Sequence, residues 1–166
     1  GGGTDGGIDR AGRGRLRHVL GLALQMTLPG VPSVFQGDEL GLTGEDGEHA
    51  RTPFPWDKRS TWDTDTLQAY VEWIELRRES VALRRGGLRW VHVGADSMTF
   101  LREHRDERVL VHVARAEHPP VRLPWRALGV RGAAGLEVMT GQPVRPAGTD
   151  HVELPAGPGA HAYSLR

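Results

Sequence analysis

The stretch that decides the fold reads Leu28-Pro-Gly-Val-Pro-Ser-Val-Phe-Gln-Gly-Asp-Glu-Leu-Gly-Leu42, continues through an acidic segment, Glu45-Asp-Gly-Glu48, and resumes at Arg51-Thr-Pro-Phe-Pro-Trp-Asp57. Residues 31–36 form a short apolar run between Pro29-Gly30 and Gly37. A run of this length and composition predicts a strand buried on both faces, as in a parallel sheet. Residues 37–63 then form a long loop rich in Gly and Pro. Loops longer than about 15 residues inside a compact domain are usually functional or disordered. This one carries a cation, aromatic rings and several carboxylates. That chemistry suits a sugar, with a ring for the pyranose face and charged groups for the hydroxyls.

Working outward, residues 1–14 are Gly-rich and predict a loop. Residues 15–28 lack Pro and are rich in Leu, Ala and Met, which predicts a buried helix ended by Pro29-Gly30. A second helix is predicted over 64–85. Asp63 or Thr64 would cap it, an apolar face would form from Leu67, Tyr70, Val71, Ile74 and Val81, and Gly86-Gly87 would terminate it. The pattern then changes. Residues 88–93, 97–103, 108–114, 136–140, 151–154 and 160–165 alternate or run apolar with Gly, Pro and Asp between them. Short strands so punctuated indicate an antiparallel sandwich. The expected fold class is therefore α/β then all-β, with a boundary near Gly86. Residues 1–86 would be helix–strand–loop–helix, and 87–166 a C-terminal β-sandwich domain.

Composition narrows the function. The 21 acidic and 21 basic residues cancel, which argues against a dedicated nucleic-acid or polyanion binder. Lys58 is the only lysine, and the scattered arginines read as compositional bias. There is no Cys, hence no disulfide framework and no thiolate site. The apolar stretch at 19–28 is too short to span a bilayer, which needs about 20 residues, so no membrane partner is expected. A cytoplasmic location is favoured over secretion. The eight His show no His-Glu-x-x-His spacing, so neither a metal nor another cofactor is expected. Gly1, Gly3 and Gly6 fit Gly-x-Gly-x-x-Gly, but no strand precedes them. No Gly-x-Ser-x-Gly elbow occurs.

The unit helix–strand–loop–helix is how a (β/α)₈ barrel ends, and in such barrels the site is built from loops after the strands. Gly30, Pro32, Gly37 and Glu39 stand where the alpha-amylase family, glycoside hydrolase family 13, has Gly-x-Pro, four residues, Gly-x-Glu at its last barrel strand. Arg51-Thr-Pro-Phe-Pro-Trp-Asp57 resembles the Arg-x-Pro-Met-x-Trp-Asp segment of alpha-glucosidases and neopullulanase-like members. The resemblance covers residues 1–86 strongly and the β-domain only in length and type. It implies the last part of a TIM barrel and its C-terminal β-sandwich, a C-terminal fragment of a retaining alpha-glycosidase acting on alpha-glucosidic bonds of oligo- or polysaccharides. Its partners would be an alpha-glucan substrate and the N-terminal remainder of its own barrel.

In such enzymes two carboxylates about 5 Å apart perform the displacement. None maps onto this chain, so no catalytic residue is assigned and the fragment alone is expected to be inactive. The substrate-binding candidates are Arg51, Asp38, Glu39 and Trp56. Guanidinium donors suit sugar hydroxyls, and the family's Arg at this place helps hold a glucose unit; the other reading of Arg51 is a loop-stabilising ion pair. Asp38 and Glu39 are neighbours that point to opposite sides, so they are not a catalytic pair. Glu39 also suits a bond to loop backbone, and Asp38 the site rim. Trp56 stacks on a sugar or, the favoured reading, anchors the loop. Trp62, Trp73, Trp90 and Trp125 read as packing groups, with Trp90 and Trp125 also candidates for a surface starch platform. At the position four residues before Arg51, where many amylases have Asp, this chain has Gly47. The alternative function is a stand-alone carbohydrate-binding or scaffold module.

Overall fold

The computed structural model describes residues 10–44, 51, 53–130 and 135–165. The acidic tip at 45–48 and the glycines at positions 1, 3 and 6 lie outside the described residues. Helix α1 spans Arg10–Thr27, so it begins inside the stretch expected to be loop. Helices α2 (Thr64–Glu79) and α3 (Val81–Arg85) follow the long loop. Eight strands come next: β1 (Gly87–Val93), β2 (Ser97–His104), β3 (Glu107–Ala114), β4 (Val121–Pro124), β5 (Gly135–Glu137), β6 (Arg145–Ala147), β7 (His151–Leu154) and β8 (Gly159–Leu165). They form a five-stranded sheet in the order β1-β2-β3-β8-β5 and a three-stranded sheet in the order β4-β7-β6, with every pairing antiparallel. No helix among the described residues is long and apolar enough to cross a membrane.

Side chains on a strand alternate between faces, and here the two faces of the large sheet feed two cores. Phe100, Val109, Val111, Val113 and Ala162 point to one side and pack with Leu20, Ala23 and Met26 of α1, Tyr70 and Trp73 of α2, and Ala82 and Leu83 of α3. Leu101, Leu110, Tyr163 and Leu165 point to the other side and pack with Val121, Leu123, Val152 and Leu154 of the small sheet and with Trp125 and Leu128. The molecule is thus three layers: helices, large sheet, small sheet. The continuous apolar run of β3 reflects burial on both faces. Gly86, where the sequence pattern changes, lies between α3 and β1, and the first core spans both sides of it.

The C-terminal end of α1 joins these layers. A helix leaves its last carbonyls without intrahelical donors. Here two buried arginines supply them. Arg77 of α2 donates to the carbonyls of Met26 (2.7 Å), Leu28 (3.0 Å) and Gly30 (2.5 Å). Arg102 of β2 donates to the carbonyl of Thr27, to Gly86 O at 2.8 Å and to Gly87 O at 3.3 Å. Positive charge at a helix C-terminus is also favoured by the helix dipole. Burial lowers the pKa of both guanidinium groups below the usual arginine value, and the charge of Arg77 adds to the effect at Arg102. Gly86 is required by proximity: a Cβ there would lie 2.4 Å from Ala82 O and 2.8 Å from Glu103 O.

Several expectations change. Residues 31–35 form no strand with any of the described residues, and Val31 is 97% exposed. A parallel strand exists only when neighbours accept its backbone bonds, and no described strand runs beside this segment. The second helix breaks at Ser80, whose hydroxyl accepts from Leu83 N–H and starts α3. Glu107 reinforces the break by accepting from Ser80 Oγ (2.8 Å) and Ala82 N–H (2.7 Å). The buried face of α2 is Thr66, Tyr70, Trp73, Leu76 and Arg77, while Val71 is exposed. Trp73 and Trp125 are buried, but Trp90 is 49% exposed and meets Phe100 edge to face at 5.2 Å. Strands β4 and β6 lay outside the sequence expectation because both are short and contain Pro.

Two measurements test this architecture. Arg102→Ala would leave the buried Thr27 carbonyl and the partly buried Gly86 and Gly87 carbonyls without this donor, so the urea unfolding midpoint should fall by the equivalent of about 3 kcal/mol. The second concerns His112, which is fully buried. Its Nε2 lies 3.0 Å from Pro155 O, which can only accept, and its Nδ1 lies 2.8 Å from Thr99 Oγ1, so the neutral Nε2–H form satisfies both. Burial pushes its pKa down to about 4, with the Pro155 bond opposing and His118, His161 and His92 adding. A histidine held neutral stabilises the fold above its unfolded pKa of about 6.5, and that stability is lost as pH falls toward 4. Unfolding free energy should therefore decline below pH 6.5. The His112 share should approach about 1.4 kcal/mol per pH unit, and His112→Gln should flatten the slope by up to one proton.

Candidate functional site

The segment from Pro29 to Asp63 is built from a few fixed points. Gly37 takes φ 100°, in the left-handed region, and a Cβ there would strike Leu42 Cδ1 at 2.8 Å. This permits the tight turn Asp38–Leu40, whose Leu40 is buried. Glu39 folds back so that its Oε2 accepts from Gly37 N–H at 2.8 Å. Its carboxylate therefore serves the loop's own backbone. Gly41, at φ 67°, lets the chain pass close to Asp63, whose Cβ would lie 3.3 Å from an added Cβ. Asp63 N–H donates to Leu40 O at 3.3 Å.

Asp63 closes the loop. Its carboxylate accepts from Thr66 N–H (3.2 Å), Thr66 Oγ1 (2.8 Å) and Arg15 Nε (2.9 Å), which caps α2 and ties it to α1. Burial raises its pKa, but the Thr66 and Arg15 bonds outweigh this and hold the carboxyl below its usual value. Asp38 sits over a small network. His18 Nε2 lies 3.1 Å from Asp38 O and 3.0 Å from Tyr70 Oη. The Tyr70 hydroxyl is pushed up to about 12 by burial, with the charges of Asp38 and Glu39 adding, so it stays protonated. A cleft of about 410 Å³ opens here, lined by Gly14, Arg15, His18, Leu42, Asp63 and Thr66 among others.

The second half of the loop carries an aromatic cluster. Phe54 lies 4.2 Å from Trp56 between centroids and meets Trp62 edge to face at 5.6 Å. Trp62 Nε1 donates to Pro55 O at 3.1 Å, and the Arg59 guanidinium sits 5.5 Å above its ring. Trp62 is thus the packing group that the sequence indicated. Trp56 rests on Phe54 and is still 66% exposed. Arg51 is exposed and makes no hydrogen bond or ion pair with any described residue. Of the four candidates, Asp38 is joined to α1 and α2 through its backbone carbonyl, His18 and Tyr70, Glu39 is bonded to Gly37 N–H, Trp56 belongs to the aromatic cluster, and Arg51 stands apart from the other described residues. His18, Tyr70, Arg15 and Asp63 complete the site. Asp63 was legible as a cap, whereas no linear spacing connects positions 18, 38 and 70. Among the described residues no group of three or more His, Asp or Glu is arranged to hold a metal ion.

No protein-family model matches the chain. Among curated proteins, it is 29% identical over 140 residues to neopullulanase 2 of Thermoactinomyces vulgaris, which covers 82% of this chain and 23% of that protein. Among solved structures, it is 28% identical to the cyclic alpha-maltosyl-(1→6)-maltose hydrolase of Arthrobacter globiformis, with a TM-score of 0.68 over 92% of this chain and 31% of that one. The alpha-amylase of Geobacillus thermoleovorans shares the fold with a TM-score of 0.81, at 20% identity, over 92% of this chain and 34% of that one. The chain spans about a quarter to a third of the length of these proteins.

Proposed function

We propose that this chain, whose resemblance to glycoside hydrolase family 13 holds over most of its length, supplies one wall of the sugar site in a retaining alpha-glycosidase. Residues 1–86 are read as the closing part of its (β/α)₈ barrel and 87–166 as its C-terminal β-sandwich. The substrates are oligo- or polysaccharides with alpha-glucosidic bonds. The observation that carries this reading is the state of Arg51: an exposed guanidinium with no described carboxylate beside it, on a loop whose base is clamped by Asp63. A loop-stabilising arginine would be paired; a substrate arginine waits for its ligand.

The exposed apolar segment at 31–35 supports the barrel reading. Val31, Val34 and Phe35 are hydrophobic yet uncovered, as a barrel strand would be without its neighbours. Arg51 would donate to hydroxyls of a glucose unit near the cleaved bond, and Trp56 offers an exposed ring face on the same loop. Nucleophile and acid, about 5 Å apart in a retaining enzyme, would come from elsewhere in the full protein.

In the intact enzyme, Arg51→Ala should lower kcat/KM by about 10- to 100-fold, the equivalent of one charged hydrogen bond of about 1.5–3 kcal/mol. Its melting temperature should hardly change. Arg51→Lys should recover activity only in part, because an ammonium cannot reproduce the guanidinium fork. Normal kinetics with a clearly lowered melting temperature would make Arg51 a loop clamp instead. The 166-residue chain alone should release no glucose from maltose or pullulan, and release would overturn the assignment of the catalytic groups to other parts of the protein.

A further inference from the structure

Two contacts from one face of α1 hold the two ends of the loop at 37–63. Arg15 and His18 are three positions apart on the helix, a spacing that puts both side chains on the same face. Arg15 Nε donates to Asp63 Oδ2 at 2.9 Å, where the loop ends. His18 Nε2 lies 3.1 Å from Asp38 O, where the loop begins. Arg51 lies between these two points in sequence.

Apolar packing does little to place this loop. Among its described residues, Leu40 is the one buried hydrophobic side chain. Between α1, the loop and the start of α2 lies the cleft of about 410 Å³, bounded by Arg15 and His18 on α1, Leu42 and Thr43 on the loop and Thr66 on α2. A loop with so little buried apolar surface takes its position from directional polar contacts. The two ends are not held alike. Asp63 is bound twice by Thr66 of α2 as well as by Arg15. At Asp38 the turn closes mainly on itself: Gly41 N–H donates to Asp38 O at 3.0 Å, Leu42 N–H to Gly37 O at 3.0 Å, and Glu39 binds Gly37. Among the described residues, the side-chain hydrogen bond that ties this turn to a helix comes from His18.

Asp38 O can only accept, so the form of His18 that serves it carries the proton on Nε2. Tyr70 stands behind the imidazole. Its Oη is 3.0 Å from the same nitrogen, and its ring lies 5.7 Å away between centroids, tilted by 37°. Tyr70 is itself only 4% exposed, so the imidazole is held between a buried ring and the turn. We infer that His18 is a positioning residue of the proposed sugar site: it sets where the loop leaves Asp38, and through the loop where Arg51 stands toward a glucose unit. Its role toward sugar rests on the proposed function; its clamp on the turn does not.

Amide hydrogen exchange on the 166-residue chain tests the clamp. His18→Leu keeps bulk beside Tyr70 and removes the donor, so the Gly41 and Leu42 amides should exchange about fivefold faster, the loss of one hydrogen bond. The β3 amides should be unchanged. His18→Gln places an amide N–H near the same point and should restore most of the protection. Kinetics of the intact enzyme test the positioning. His18→Leu should lower kcat/KM about fivefold when Arg51 is present. It should add nothing in the Arg51→Ala background, because a residue that works through Arg51 is coupled to it. Unchanged Gly41 and Leu42 exchange, an equal rise at the β3 amides, or losses that add in the double variant would each overturn the inference. Normal kinetics in Arg51→Ala alone would overturn the proposed function and the sugar role of His18 with it, and the exchange rates would still decide whether His18 clamps the turn.

Discussion

The carbonyl-rich end of α1 is the constraint around which the other elements are arranged. A helix that stops in the interior must find donors for its last carbonyls, because water cannot reach them. Arg77 and Arg102 answer this from opposite sides, one from a helix and one from a strand. Among the described residues, both donate to backbone oxygens alone and neither pairs with a carboxylate. The arrangement spreads a buried charge over several carbonyl dipoles, which is how such a charge becomes tolerable. It also fixes geometry. Arg102 gathers the ends of α1 and α3 and the start of β1 at one point, so the helical layer is locked to the large sheet in a single register.

The loop at the candidate site follows a different logic. Its base is over-determined: Gly37 and Gly41 adopt left-handed turns, Glu39 holds Gly37, and Asp63 binds Thr66 and Arg15. Its distal part presents Arg51 and Trp56 outward. A rigid base with exposed functional groups is the usual solution for binding loops, since the groups that meet a ligand cannot also be consumed by the fold. The same carboxylate chemistry is thus divided. Glu39 and Asp63 build the loop, while the charges of Asp38 and Glu39 add to the burial that keeps Tyr70 protonated.

Within the sandwich, the interior changes character along the strands. Toward one end the interior is lined by Leu101, Leu110 and Leu165. At the other end a row of polar residues crosses four strands in register: His92 opposite Thr99, Thr99 opposite His112, and His112 opposite His161. His112 is satisfied within the row and toward Pro155, whereas His161 faces a cleft between the sheets. A polar row of this kind lowers the apolar area available to hold the sheets together there.

Local chemistry alone determined the helices, most strands of the large sheet and the terminators. Leu, Ala and Met without Pro made α1, short apolar runs rich in β-branched residues made β2 and β3, and Gly86-Gly87 marked the end of the helical part. The candidate loop was legible for the same reason, since a long Gly- and Pro-rich segment with Arg51 and Trp56 has no other local solution. What escaped the sequence depended on partners distant along the chain. Residues 31–36 have strand composition, but a strand is a property of a ladder, and none of the described strands pairs with them. The break at Ser80 needed Glu107 from β3. The short strands β4 and β6 exist because β7 lies between them. The joining of His18, Asp38 and Tyr70, and the meeting of Arg77 with Arg102, came from packing α1 against α2 and the large sheet. Only the tertiary structure decides such contacts, because the energy that selects them belongs to the shared interior and not to any one segment.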